Sequence, residues 1–154
     1  MYKTGLVLEG GGIRAMYTSG VLDAFIENDI EFPYVIGVSA GSCNGVSYLG
    51  KNLHRMRDIN IKYSGDKRYK SFNSMLKNGE YLNMGWIFGE LTYSLYPLDY
   101  ETYESSNATM CAVATNALTG KPEYFYPTDF HENCEELKAS CALPFAAKPV
   151  QIGK

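Results

Sequence analysis

The chain has 154 residues, a formal net charge of −3 at pH 7, 45% hydrophobic residues and 20% charged residues. This length and composition predict one ordinary globular domain and exclude a disordered, collagen-like or coiled-coil chain. The mild acidity argues against a nucleic-acid partner, which usually requires a basic surface.

The cysteines and histidines lack the spacing that is typical of a metal site. The chain has four cysteines and two histidines, and no two cysteines form a C-x-x-C pair. We therefore expect no metal and no cofactor. The chain is also less dense in cysteine than disulfide-linked secreted scaffolds, so buried free thiols are expected at Cys43, Cys111, Cys134 and Cys141.

No targeting or membrane-spanning segment is predicted. The first five residues contain no basic stretch followed by an apolar run, as a signal peptide would require. Residues 32–50 are uncharged and long enough to cross a membrane, but they contain Pro33, three serines and four glycines. Because this composition favours a strand, a turn and a helix, we expect a cytoplasmic protein that contacts a membrane only from its surface.

The first third of the chain alternates between strands and helices. Residues 4–8 are apolar and bounded by glycine, which indicates a buried strand, and residues 14–28 have the periodicity of an amphipathic helix. Residues 32–36 predict a second strand, and residues 42–49 predict a helix of small residues. This order predicts a parallel sheet with right-handed crossovers.

The middle of the chain differs in composition. Residues 51–104 are rich in Lys, Arg, Asn, Tyr and Gly, and they predict a helical insertion over one end of the sheet, with short helices near 53–63 and 86–95. The last third predicts a strand at residues 109–115, a strand at 123–126 that pairs antiparallel with it, and a helix at 131–141. Residues 150–152 are typical of the start of a further strand, which suggests a fragment of a longer chain.

Ser39 stands in a G-x-S-x-G pattern formed with Gly37 and Gly41, between a predicted strand and a predicted helix. This is the context of a nucleophile elbow, in which a sharp turn exposes the hydroxyl at a helix N-terminus. Glycine is needed on both sides because chain segments approach too closely there for a side chain. The pattern favours a nucleophilic serine.

Gly10, Gly11 and Gly12 follow the first strand and precede the first helix. Their N–H groups can converge on an anion, as in the oxyanion hole of an acyl-transfer enzyme. Because both loops follow adjacent parallel strands, we expect them to lie side by side. The alternative is a dinucleotide-binding loop, since Gly10-x-Gly12-x-x-Ala15 is similar to that fingerprint, but no acidic residue ends the second strand.

Three ordered segments resemble the patatin-like phospholipase family, most closely its bacterial members. They are residues 9–14 (EGGGIR), 37–42 (GVSAGS) and 139–144 (ASCALP), the last followed by Pro149 and Val150. The resemblance implies that residues 1–154 are the N-terminal portion of a patatin-like domain. The implied fold is a three-layer α/β/α hydrolase fold with a mainly parallel sheet, incomplete at the C-terminus.

The resemblance also implies an activity, namely lipid acyl-ester hydrolysis by a Ser-Asp dyad without histidine. It implies that Ser39 is the nucleophile, that the backbone of Gly10, Gly11 and Gly12 forms the oxyanion hole, and that Arg14 braces this loop. The implied partner is a lipid or acyl-ester substrate, and a non-catalytic lipid-binding or regulatory module is the alternative. The lipid class, acyl length, headgroup and oligomeric state are left open.

The general base of the dyad is missing from this chain. In the family it stands in a D-G-G or D-G-A motif after a strand that here would begin near Val150, and none of the six aspartates precedes a glycine. We expect the base beyond Lys154 in a longer protein, and little hydrolysis by this chain alone. A histidine could act as a substitute base, but His54 is expected to point to solvent and His131 to cap a helix or lie at the surface. Glu9, which stands where the family often has Asp, could reach the elbow but is expected to bond a backbone N–H.

Three further features have an ordinary and a functional interpretation. Arg14 lies at a predicted helix start, where a positive charge is unfavourable. Its ordinary interpretation is a surface ion pair, and its functional interpretation is to brace the glycine loop or to bind a headgroup phosphate. A basic cluster is a solvated face or a site that attracts an anionic membrane surface; it comprises Lys62, Lys67, Arg68 and Lys70. An apolar group is core, or a lid or acyl-chain pocket; it comprises residues 86–88, Leu91, Tyr93 and Leu95.

Overall fold

The computed structural model describes residues 4–128, 130 and 134–153. Within them, four strands form one sheet in the order β1-β2-β3-β4. Strands β1 and β2 and strands β2 and β3 pair parallel, and β3 and β4 pair antiparallel. The strands are β1 (Gly5–Leu8), β2 (Tyr34–Val38), β3 (Thr109–Thr115) and β4 (Pro122–Phe125). The predicted parallel sheet and its antiparallel last pair are confirmed.

The helices alternate with these strands and fill the segment between β2 and β3. They are a 3₁₀ turn (Gly12–Ala15), α1 (Met16–Glu27), α2 (Ala40–Leu49), α3 (Arg55–Tyr63), α4 (Phe72–Asn78), α5 (Met84–Trp86), a π-helix (Ile87–Leu95), α6 (Tyr100–Ser105) and α7 (Glu135–Cys141). The helices predicted near residues 14–28, 42–49, 53–63 and 86–95 are confirmed.

Two short helices, α4 and α6, were not predicted. Each begins at a side chain that caps it: the Ser71 hydroxyl accepts from the Asn73 N–H at 3.2 Å, and Asp99 accepts from the Thr102 N–H at 2.9 Å. Capping satisfies N–H groups that have no partner inside a helix.

The core lies on the face of the sheet that α2 covers. Leu8, Val35 and Met110 are buried there, and the Met110 side chain reaches the backbone of Gly45 in α2 so closely that a methyl group at Gly45 would lie 2.9 Å from it. The small residues of α2 therefore allow close helix–sheet packing. On the opposite face Val7 is 75% exposed, and the three-layer arrangement stays a prediction.

Several boundaries differ from the prediction by one to four residues, and one predicted strand is absent from the described residues. Strand β2 extends to Val38, because Gly37 and Val38 pair with Ala112 and Val113 of β3. Residues 150–152 do not form a strand, and none of the described strands pairs with them. The described part of the predicted helix at 131–141 begins at Glu135, and residues 131–133 lie outside the described residues.

Residues 51–104 contribute α3 to α6 and the π-helix. A small second core joins α3 to the π-helix through Ile59, Tyr63 and Leu91. The limits of this segment as an insertion stay a prediction. None of the helices in the described residues is long and apolar enough to cross a membrane.

Candidate active site

Ser39 occupies the turn between β2 and α2 in a backbone conformation that is rare for a side-chain-bearing residue. Its φ is 80° and its ψ is −118°, and the residue is half-buried. A positive φ costs free energy for any residue other than glycine, and such strain is concentrated at functional sites. Because α2 begins at the next residue, the Ser39 hydroxyl lies at the N-terminus of a helix.

The flanking glycines have no room for a side chain. A methyl group at Gly41 would overlap the Leu8 carbonyl oxygen and lie 2.6 Å from the Glu9 carbonyl oxygen. A methyl group at Gly37 would lie 2.6 Å from the carbonyl carbon of Gly41. The end of β1, the end of β2 and the first turn of α2 therefore meet at backbone contact, which fixes the turn that holds Ser39.

A second serine, Ser140 of α7, holds this turn from the other side. Its hydroxyl accepts a hydrogen bond from the Ser39 N–H at 2.8 Å and donates one to the Val113 carbonyl at 2.7 Å. The Ser42 hydroxyl donates to the Ser39 carbonyl at 2.7 Å. No pattern indicated this role for Ser140, and the only signal was its position in the segment at residues 139–144.

The glycine loop lies beside Ser39. A methyl group at Gly10 would be 3.3 Å from the Ser39 Cβ atom, so the two loops are in direct contact. The N–H groups of Gly10 and Gly11 have no acceptor among the described residues. Gly12 has a φ of 54°, which favours glycine, and it begins the 3₁₀ turn. The loop thus presents unpaired donors next to the serine.

Two charged residues flank this loop. Arg14 is exposed and is tied to the loop by its backbone N–H, which donates to the Gly11 carbonyl at 3.1 Å. Within the described part of the chain, neither the Arg14 guanidinium nor the exposed Glu9 carboxylate has a hydrogen-bond partner. Bracing of the loop by the Arg14 side chain stays a prediction, as does the expected bond of Glu9.

A cavity of about 340 Å³ extends from Ser39 into the helical segment. Its wall is mainly apolar, and Phe88 and Leu91 of the predicted apolar group line it. Trp86 instead packs against Tyr63, with ring centroids 5.5 Å apart. Among the described residues that line the cavity, none is Asp, Glu or His. Further apolar lining residues are Ile59, Met84, Ile87, Leu137 and Leu143.

Arg55 is the buried charge of this cavity. It is 8% exposed, its Nε donates to the Tyr96 carbonyl at 2.8 Å, and its Nη1 donates to the Ser47 hydroxyl at 2.9 Å. No carboxylate among the described residues pairs with it, and burial lowers its pKa. The buried residues of α3 are Arg55, Ile59 and Tyr63. They are spaced four residues apart, and this helical spacing is the sequence feature from which the burial of Arg55 could have been predicted.

His54 is not among the described residues that line the cavity. The His54 ring is 3.0 Å from an Asp23 carboxylate oxygen, and the His54 N–H donates to the same carboxylate at 2.9 Å. The expected surface position is thus replaced by a half-buried pair with Asp23. His131 lies outside the described residues.

Some of the side chains in the basic cluster are engaged by neighbouring residues. The Arg68 guanidinium pairs with Asp66 at 2.8 Å and lies over the Trp86 ring at 4.9 Å, and the Lys62 ammonium lies 5.4 Å from the centre of the Tyr63 ring. Lys70 lines the cavity. Within the described residues, no group of three or more His, Cys, Asp or Glu side chains is arranged to hold a metal ion.

The fold and the site define an α/β protein in which a serine on a strand–turn–helix elbow contacts a glycine-rich loop. The family model of the patatin-like phospholipases matches residues 6–154, so the chain belongs to this family, and the predicted resemblance is confirmed. The chain is also similar to the uncharacterized protein YjjU of Escherichia coli (strain K12), with 28% identity over 148 residues. The match covers 92% of this chain and 40% of that relative.

Proposed function

We propose that this chain carries the nucleophile and the oxyanion hole of a lipid acyl hydrolase, a phospholipase or esterase. Membership of the patatin-like phospholipase family supports lipid hydrolysis at the family level. The observation that carries the finer proposal is the strained, half-buried Ser39 in contact with Gly10 at the end of an apolar cavity. Ser39 attacks the ester carbonyl and forms an acyl-enzyme.

In this proposal the N–H groups of Gly10, Gly11 and Gly12 stabilise the oxyanion of the tetrahedral intermediate. The support is that the first two lack an acceptor among the described residues and that the loop contacts Ser39. Each such donor contributes roughly 3 kcal/mol to transition-state stabilisation. The unpaired Arg14 guanidinium provides a positive charge for a headgroup phosphate or for the loop.

The proposed general base is an aspartate in sequence that follows Lys154 in a longer protein. This proposal follows from the dyad that the family implies, and it agrees with a cavity lining in which no described residue is Asp, Glu or His. Loss of a general base typically lowers a rate by about 10²- to 10⁴-fold. The 154-residue chain alone therefore acylates slowly.

The apolar cavity is proposed to hold the acyl chain of the substrate. Its wall of Phe88, Leu91 and other apolar side chains has no fixed negative charge among the described residues. Burial of each CH₂ group of an acyl chain contributes about 0.8 kcal/mol, which favours long chains over short ones.

The surface around α4 is proposed to dock on a membrane. Phe72 and Leu76 of α4 are 74% and 86% exposed, and Phe145 is 91% exposed. The Phe72 ring packs against Tyr81 at 5.2 Å, and Tyr81 lines the cavity. Exposed apolar side chains insert into a lipid surface more readily than polar ones. The proposed position of this surface is therefore peripheral to a membrane.

The nucleophile is tested with an alkyl fluorophosphonate, which labels activated serines. The 154-residue chain, Ser39→Ala and the matched control Ser105→Ala are incubated with the probe, and the labelled residue is identified by mass spectrometry. We expect an adduct on Ser39 in the chain and in Ser105→Ala, formed faster when formate is added as an external base. Labelling that persists in Ser39→Ala contradicts the assignment.

The proposed acyl-chain site in the cavity is tested by a larger side chain that fills the cavity. Leu91→Trp should slow labelling by a long-chain fluorophosphonate at least tenfold while changing labelling by a methyl or ethyl probe less than threefold. The matched control is Leu95→Trp in the same helix, because Leu95 is partly exposed and is not among the described cavity residues. Equal loss with both probes would show that the cavity does not hold the alkyl chain.

The alternative function, a non-catalytic lipid-binding module, is tested with anionic vesicles. Binding of the chain to these vesicles without any labelling of Ser39 would favour it.

A further inference from the structure

Two thiols lie together in the wall of the cavity next to Ser39. Cys43 is in the first turns of α2, Cys141 is the last residue of α7, and their Sγ atoms are 3.7 Å apart. Both line the cavity and are partly exposed; Cys134 also lines the cavity but is buried, as is Cys111. The predicted free state of all four thiols is confirmed, but the predicted burial applies only to the second pair.

We propose that Cys43 and Cys141 are an oxidation-sensitive modification site, which a peroxide converts into a disulfide that ties α2 to α7. The two sulfur atoms are already in contact, and both are accessible from the cavity. A disulfide requires an S–S distance of about 2.05 Å, so the sulfur atoms must approach by roughly 1.7 Å.

The surroundings of the pair make Cys43 the first sulfur to react. When Cys43 is ionised, the Cys141 thiol donates to it, and this contact together with the positive charge of Arg55 lowers the pKa of Cys43. The pKa of Cys141 is raised, because its proton is held in the contact with Cys43 and a Cys43 thiolate disfavours a second negative charge beside it. A thiolate is the nucleophilic form of cysteine, and a nearby cation favours it.

The reaction proceeds in two balanced steps with hydrogen peroxide as the oxidant. The Cys43 sulfur attacks one peroxide oxygen, the O–O bond breaks, and a sulfenic acid and one water are formed. The Cys141 sulfur then attacks the sulfenic sulfur, the S–O bond breaks, and the hydroxyl group leaves as a second water with the Cys141 proton. Two thiols thus lose two electrons and two protons to one peroxide.

Closing this bond also disturbs the turn that holds Ser39. Cys141 follows Ser140, whose hydroxyl accepts from the Ser39 N–H at 2.8 Å. A shift of α7 toward α2 moves this acceptor, and a misplacement of about 1 Å in a reacting group can cost about 10²-fold in rate. We therefore expect that oxidation lowers the reactivity of Ser39 about 10²-fold, an effect that rests on the proposed function.

The disulfide is tested on the intact chain with one equivalent of hydrogen peroxide. We expect a mass loss of about 2 Da, the mass of two hydrogen atoms, a Cys43–Cys141 peptide in non-reducing mass spectrometry, and full reversal by dithiothreitol. The matched control Cys111→Ala should form the same link, whereas Cys141→Ala should gain oxygen at Cys43 instead. A link from Cys43 to Cys134, or only oxygen addition to Cys43 in the intact chain, would overturn the proposal.

The effect on Ser39 is measured separately. Fluorophosphonate labelling is compared for the reduced chain, the oxidised chain and the chain reduced again with dithiothreitol. Unchanged labelling after complete disulfide formation would contradict the coupling to Ser39. A reduced chain that is not labelled contradicts the proposed function instead, and the mass measurement still tests the disulfide.

Discussion

Replacing the glycines around Ser39 by alanine should destabilise the chain, and the loss should be larger where there is less room for the added methyl group. Ordinary contacts of a Cβ atom are 3.4–4 Å, whereas a methyl group at Gly41 or Gly37 would lie 2.6 Å or less from backbone atoms. The two backbone segments must therefore separate by roughly 1 Å to make room for the methyl group. The atoms that it would meet belong to the backbone, so no flexible side chain can move away instead. Overpacking of this kind costs about 1–3 kcal/mol and occasionally more.

The control for this series is Gly20→Ala. Gly20 lies in α1, and an added methyl group would have no atom within 4 Å apart from its chain neighbours and the backbone of its own helix. Alanine in a helix is favoured over glycine by about 0.5–1 kcal/mol. Gly10→Ala is intermediate, because its methyl group would lie 3.3 Å from the Ser39 Cβ atom. We expect Gly41→Ala to lose about 3 kcal/mol of unfolding free energy, Gly10→Ala about 1 kcal/mol, and Gly20→Ala to gain slightly.

Urea unfolding followed by circular dichroism measures these differences. A loss of about 3 kcal/mol corresponds to a fall in Tm of about 6–12 °C for a chain of this size. If Gly41→Ala does not fold, Gly10→Ala and Gly20→Ala still provide the comparison. Stabilities of Gly41→Ala and Gly20→Ala within about 0.5 kcal/mol of each other would refute the backbone contact between β1 and α2.

Two further substitutions test the surroundings of Ser39. Ser140→Ala removes the acceptor of the Ser39 N–H and should lower the free energy of unfolding by about 1–3 kcal/mol. The control is Ser105→Ala, because Ser105 is exposed, and it should change the free energy of unfolding by less than about 0.5 kcal/mol in the same urea titration. Arg55→Met removes the cation that helps to lower the pKa of Cys43, so this pKa should rise. Alkylation of Cys43 by iodoacetamide should then require a higher pH. An unchanged pH profile would contradict the electrostatic effect of Arg55.

The parts of the fold that depend on local sequence were predictable. Strand β3 has the predicted limits of residues 109–115, because a β-branched and apolar run is bounded by polar residues. In contrast, the helix at Ile87–Leu95 is a π-helix with a kink at Gly89, and the Thr92 hydroxyl donates to the Ile87 carbonyl five residues earlier at 2.8 Å. Such a kink depends on packing of the segment rather than on its apolar periodicity.

The candidate site shows the same division between local and distant determinants. Ser39 and its glycines were found because the elbow and the loop are short continuous segments in which backbone contact dictates the residue type. The hydrogen bond of Ser140 connects residues 101 positions apart, and the contact of Cys43 with Cys141 connects residues 98 positions apart. Because these contacts exist only once α7 packs against α2, the local sequence identifies the candidate serine, whereas the tertiary fold determines which side chains support it.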